Sequence, residues 1–197
     1  MQENNIVIRF LKKNFNSQIS TEEEKYILDS FLKETFRKKE LVFRYGDANT
    51  KHYFIESGLM RLYLIDKSGK EFNILFAREN QIIGDLITPE PTDFNLEAIE
   101  ETTVYSISDQ NFEKLIDTLS LKHKSNPDSS IRRSYINIQK RLVSILVNSA
   151  EENYLLFRQN NPALIQRLPQ YHIASYLGIT PEFLSKIITK TTKNIKV

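Results

Sequence analysis

The hydrophobic period of this chain changes twice, and no other feature restricts its fold as much. Between Lys39 and Ile107, short runs rich in β-branched and aromatic residues alternate with turn residues: LVFRY, HYFIE, LMRLYLI, EFNILFA, QIIG and TVYSI. The separators are Gly46-Asp47, Ser57-Gly58, Asp66 to Lys70, Glu79-Asn80 and Gly84-Asp85. Runs at roughly 8–12-residue intervals with turn signals between them predict an all-β sandwich or barrel. Leu62, Leu64, Phe72, Ile74 and Phe76 alternate with residues of mixed polarity, as half-buried strands do. The turn Asp66-Lys67-Ser68-Gly69-Lys70 suits a hairpin, with Gly69 supplying positive φ.

On both sides the period is helical. Ser20-Thr21-Glu22-Glu23 is a capping box, and Tyr26, Ile27, Phe31 and Leu32 follow on one face, predicting a helix over about 21–34. Phe112, Leu115, Ile116 and Leu119 mark a short helix after Asp109, and Asn126-Pro127 breaks the chain. A long helix follows over about 129–149. In it Ile131, Tyr135, Ile138, Leu142 and Ile145 make a heptad seam suited to a sister helix. Ile136, Val143, Leu146 and Val147 make a second apolar face, suited to packing on the β domain. Two faces predict two partners, the β domain and a second subunit. Ser149 to Glu152 is another capping box, opening a helix that Asn161-Pro162 ends.

The segment PQYHIASYLGITPEFLSKIITK, residues 169–190, reads as helix, turn, helix. Ile173 and Leu177 face inward, and the small Ala174 lets a second helix come close. Gly178 ends the first helix in the left-handed region, and Ile179 plugs the gap between helices. Thr180 caps the second helix, with Pro181 at its first position and Glu182 in its first turn. With Leu184, Ile187 and Ile188 inward, Pro181, Glu182, Ser185, Lys186 and Thr189 face out. Those spacings are the ones a DNA-reading helix-turn-helix needs.

Charge agrees with this division. Residues 1–120 carry 15 Lys+Arg against 21 Asp+Glu, whereas residues 121–197 carry 12 against 4. A basic C-terminal part suits a polyanion. The absence of cysteine excludes disulfides, thiolate metal sites and cysteine nucleophiles, and the three histidines are scattered. No cofactor, metal or catalytic residue is therefore assigned. No apolar run nears the ~20 residues that span a bilayer, and the N-terminus lacks a signal-peptide pattern, so a cytoplasmic protein is expected.

The order of these parts resembles the Crp–Fnr family of bacterial transcription regulators along nearly the whole chain. LVFRYGD, HYFIESGLMRLYLIDKSGKEFNILF and IIGDL are similar to that family's cyclic-nucleotide-binding-type β-roll. The stretch from Ser149 to Lys186 resembles the DNA-binding domain common in Bacteroidetes members. The resemblance implies an α+β architecture: a jelly-roll-like β-roll with flanking helices over 1–127, a dimerisation helix over 128–149, and a helix-turn-helix domain over 150–197. It implies a homodimer on double-stranded DNA, RNA polymerase as a further partner, and no membrane. Glu182 and Lys186 match the family's base-reading positions, suited to cytosine N4 and to guanine O6 or N7. Thr180 and Ser185 match phosphate-contacting positions, and Pro181 stands where the family's prototype has a base-reading arginine. Lys190, Lys193 and Lys196 are further along and suit phosphates.

Two departures from the family pattern bear on function. Gly84-Asp85 matches the Gly-Glu pair of cyclic-AMP-binding members with a shorter acid, and no Arg or Lys occurs between Arg78 and Lys114 to neutralise a cyclic phosphate. The polar pair of the long helix falls near Ile136-Asn137 and is at most half kept. The acidic stretch ITPEPTDFNLEAIEE would repel a phosphate, so Gly84-Asp85 reads as a tight turn first and a ligand pocket second, and the effector is left open. The family's β-hairpin wing also finds almost no room before Val197. An enzyme on a cupin-like roll would need clustered ligands, and His52 stands alone among the strands. A cyclic-nucleotide-binding module serving another protein is the remaining alternative.

Overall fold

A computed structural model describes residues 5–15, 19–48, 51–85, 91–122 and 130–194. They cluster into two compact units, one of residues 1–64 and 75–133, the other of residues 65–74 and 134–197. The tip of one hairpin thus clusters with the C-terminal helices, although its sequence reads with the strands.

The first unit opens with α1 (Ile6–Phe15) and α2 (Thr21–Asp29). Ser20 closes the expected capping box, bonding the Glu23 amide while the Glu23 carboxylate accepts from the Ser20 amide. α2 is shorter than its periodicity predicts. The Ser30 amide bonds the Ile27 carbonyl, and the chain leaves as β1 (Leu32–Phe36), paired residue for residue with Thr102–Ser106 of β8 (Thr102–Ser108). Ladder hydrogen bonds outweigh the helical spacing of Phe31 and Leu32, and the strand region begins before Lys39. Between these strands lie β2 (Leu41–Phe43), β3 (Lys51–Ser57), β4 (Leu59–Ile65), β5 (Glu71–Arg78), β6 (Ile82–Ile83) and β7 (Asn95–Ala98).

The strands form two four-stranded sheets in the orders β1-β8-β3-β6 and β2-β7-β4-β5, the double-sheet arrangement of a jelly roll. β3 sits between two cores, so four successive residues, His52 to Ile55, are buried and its alternation vanishes. Tyr53 and Ile55 join Phe43, Met60, Leu62, Leu96 and Val104 in one core. Phe54 joins Ile8, Leu11, Ile27 and Leu119 in the other, with the Phe10 and Phe31 rings edge-on to it at 4.8 and 5.4 Å. α3 (Asp109–Lys122) closes this second core through Leu115 and Leu119. His52 belongs here structurally. Its Nε2 lies 2.7 Å from an Asp109 carboxylate oxygen, and burial pushes its pKa below the ordinary value against the opposing pull of Asp109. The predicted break at Asn126-Pro127 lies outside the described residues.

The second unit contains α4 (Ser130–Val147) from residue 134, α5 (Ala150–Asn160), α6 (Pro162–Arg167), α7 (Gln170–Leu177) and α8 (Pro181–Asn194). Ser149 and Glu152 form the predicted capping box of α5. No described helix is long and apolar enough to cross a membrane.

Candidate nucleic-acid interface

α7 and α8 are joined by the turn the sequence predicts. Gly178 has φ +72°, its amide reaches the Ser175 carbonyl at 3.2 Å, and the Ile179 amide reaches the Ala174 carbonyl at 3.0 Å. These paired bonds satisfy the last carbonyls of α7 and turn the chain sharply. Ala174 is completely buried beside Ile173, and Leu184 and Ile187 of α8 are buried as well. Thr180 caps α8, its hydroxyl oxygen accepting from the Phe183 amide at 3.2 Å.

Pro181, Glu182, Ser185, Lys186, Thr189 and Lys190 are all exposed, as the spacing requires. Their environments differ. The Glu182 carboxyl has its pKa held below the usual carboxylate value, chiefly by its own backbone amide and then by the Thr180 hydroxyl, both of which favour the charged form. At neutral pH it is an anion held at the helix N-terminus, where the dipole favours it. The Thr189 hydroxyl is bonded to the Ser185 carbonyl at 3.0 Å. Lys190 is not a free cation, because its Nζ lies 2.6 Å from a Glu151 carboxylate oxygen on α5. Lys186 makes no hydrogen bond or ion pair among the described residues. It borders a shallow hollow shared with Ser185, Thr189 and Lys190. The side chains of Lys193 and Lys196 lie outside the described residues. Sequence reasoning missed two exposed aromatics of this region, Tyr171 and Phe183. The signal was available, since both fall outside the inward-facing set of their helices.

A polar network fixes α7. The Ser175 hydroxyl donates to the Glu71 carbonyl at 2.8 Å and accepts from the Asn73 amide at 3.0 Å. The buried Asn73 side chain donates to the His172 carbonyl at 3.1 Å. Arg141 of α4 donates to the carbonyls of Ile74 at 2.5 Å, Asn73 at 3.3 Å and Tyr176 at 2.8 Å, and its guanidinium lies 3.7 Å from the Tyr176 ring centre. Burial lowers its pKa below the ordinary arginine value. Asn73 thus breaks the alternation read from Phe72, Ile74 and Phe76: it is the buried residue, whereas Phe72 and Ile74 are half-buried.

On α4, Tyr135, Ile138, Leu142 and Ile145 are 61, 58, 59 and 50% exposed, while the Ile131 side chain lies outside the described residues. The second face differs from expectation. Val143, Leu146 and Val147 are 58, 75 and 76% exposed, and only Ile136 is half-buried. One chain therefore leaves most of both apolar faces of this helix exposed.

In the β unit, Gly84 and Asp85 have structural work. A Cβ on Gly84 would lie 2.9 Å from the Lys51 carbonyl, so the close approach to β3 needs glycine. The Asp85 carboxylate accepts from the Thr92 hydroxyl at 2.5 Å. An arginine does enter the roll, from an unforeseen place. Arg61 of β4 is buried and bonded at 2.8 Å to the half-buried Glu97 directly across the ladder on β7, with its guanidinium 3.9 Å from the Tyr63 ring centre. A search confined to residues beyond Arg78 could not find it. No cluster of three or more His, Asp or Glu among the described residues could hold a metal ion.

The profile of the cyclic nucleotide-binding domain matches residues 33–119, the two sheets and α3. The anaerobic regulatory protein of Haemophilus influenzae is 25% identical over 87% of this chain and 72% of its own length. The nitrogen fixation regulation protein FixK of Rhizobium meliloti is 27% identical over 79% of this chain and 73% of its own length. FixK2 from Bradyrhizobium japonicum shares the fold, with a TM-score of 0.67 at 17% identity over 83% of this chain and 85% of that one. The chain thus carries a cyclic nucleotide-binding domain, and its homologues, matched over well more than that domain, are regulators of the Crp–Fnr type.

Proposed function

We propose that this chain is a transcription regulator that binds duplex DNA as a homodimer, with α8 in the major groove. The observation that carries this reading is the α7–Gly178–α8 unit, whose exposed first turns present Glu182, Ser185 and Lys186. In such motifs the start of the second helix meets base edges, and a symmetric dimer reads half-sites ~34 Å apart. The regulatory names of the relatives agree with it. RNA polymerase follows as a partner of such a regulator. Gel-shift titrations over operator variants test the assignment. Lys186→Ala is expected to cost about 1–3 kcal/mol and to relax preference at one base pair per half-site. Unchanged ranking and affinity would contradict the placement of α8.

The Lys190–Glu151 pair adds a second expectation. Glu151 competes with DNA phosphates for Lys190. Glu151→Gln is expected to raise affinity for all sequences about two- to fivefold at low salt, with the gain shrinking as salt rises. An unchanged affinity at low salt would show that Lys190 meets no phosphate.

The matched domain family makes cyclic-nucleotide binding the second reading. The Arg61–Glu97 pair argues against it. The one buried arginine described inside the roll is already neutralised by a carboxylate, and Asp85 is held by Thr92. A cyclic phosphate would have to break the pair and leave the half-buried Glu97 carboxylate without its partner. Calorimetry is expected to show no binding of cyclic AMP at micromolar concentration, and micromolar binding would overturn this. The effector is a different molecule, or there is none.

A further inference from the structure

We infer that Phe183 reads a thymine in each half-site, by packing its ring on the C5 methyl group in the major groove. This rests on the DNA-binding reading above and adds the chemistry of one base contact.

An isolated exposed apolar side chain is ordinary on a protein surface. Three observations separate Phe183 from that case. It stands in the first turn of α8, where a recognition helix meets base edges, and is 49% exposed while the adjacent Leu184 is completely buried. Its amide is fixed by the Thr180 hydroxyl, which sets the position of that turn. Phe183, Lys186 and Lys190 recur at i, i+3 and i+7, so the ring lies on the same stripe as two cations suited to DNA.

The chemistry of the first turn narrows the target. Pro181 and Phe183 carry no hydrogen-bonding side-chain group. Between them the Glu182 carboxylate, an anion at neutral pH, only accepts. This turn therefore offers no side-chain donor to the N7 or O6 acceptors of purines. The methyl group of thymine is the apolar feature that the major groove displays. An apolar ring held at the groove floor gains from that methyl group and from no other base edge. Lys186, one turn further on, remains the hydrogen-bonding reader.

Deoxyuridine in place of thymine tests this, because it removes the methyl group and keeps every hydrogen-bonding atom. An operator is first selected from random duplexes with the intact dimer. Each thymine of the half-site is then replaced singly, and affinities are measured for the wild type, Phe183→Ala and Phe183→Leu. The wild type is expected to lose roughly fourfold at one thymine per half-site, the effect of one apolar carbon group. Phe183→Ala is expected to bind the thymine operator more weakly and to lose the sensitivity at that position alone. Phe183→Leu is expected to recover part of it. Thermal melting checks that both variants fold. A specific operator with no sensitive thymine overturns the inference, as does a sensitivity unchanged in Phe183→Ala, and both outcomes leave the DNA reading standing. Failure to select any operator overturns the DNA reading and this inference with it.

Discussion

Replacing both Ile138 and Leu142 by Asp is expected to yield a folded monomer whose affinity for a palindromic operator is at least ~100-fold below that of the wild type. These side chains are 58 and 59% exposed in the single chain and lie on one seam with Tyr135 and Ile145. The 18-residue helix is about 27 Å long, which is long enough for a stable helical interface. In a dimer the two substitutions on each chain would bury four carboxylates in an apolar seam, a cost of several kcal/mol. In the monomer the same positions are solvated, so the fold is spared. The affinity loss follows from bivalency, because the second helix-turn-helix no longer benefits from the effective concentration its sister confers. Sedimentation velocity with gel-shift titration reads both effects. A wild type that is monomeric at micromolar concentration, or a variant that stays dimeric, contradicts the seam.

Arg141→Met is expected to lower the stability of the C-terminal unit by about 2–4 kcal/mol and to weaken DNA binding in parallel. The guanidinium serves carbonyls of three residues, Asn73, Ile74 and Tyr176, and each acceptor left dry costs about 1–3 kcal/mol, less where water reaches it. Methionine keeps much of the apolar stem and cannot donate. Arg141→Lys is expected to recover only part of the loss, because a single ammonium cannot reproduce the planar fork or its stacking on Tyr176. Amide exchange locates the damage: protection should fall at 73–74 and 172–176 before it falls in β3 and β8. Wild-type melting and exchange in Arg141→Met would show the network to be dispensable.

How legible the molecule was depends on how local each determinant is. Both capping boxes, the Gly178 turn and the Thr180 cap were readable because each uses a few adjacent residues of special chemistry. The outward face of α8 followed from 3.6-residue periodicity, and the heptad residues of α4 beyond Ile131 are open as their spacing demands. Determinants distant in sequence stayed hidden. The end of α2 at Asp29 is fixed by the pairing of β1 with β8, some seventy residues on. Arg61 meets Glu97 only because β4 and β7 are neighbours, so a search for a phosphate-binding cation along the chain passed it by. Asn73 and Arg141 find each other and α7 across similar distances. Lys190 looked free because its partner Glu151 is 39 residues away. Phe183 was overlooked for a chemical reason: attention went to charged and hydroxyl groups, and a phenyl ring among them carried no hydrogen-bonding signal.

The central claim is that α8 reads base sequence. Selection of bound fragments from random duplex DNA at physiological salt tests it most directly. The account predicts an enriched inverted repeat whose half-site centres are separated by about one helical turn, ~10 base pairs. A bound pool with the sequence composition of the input would contradict it and reduce the basic C-terminal part to a nonspecific polyanion surface.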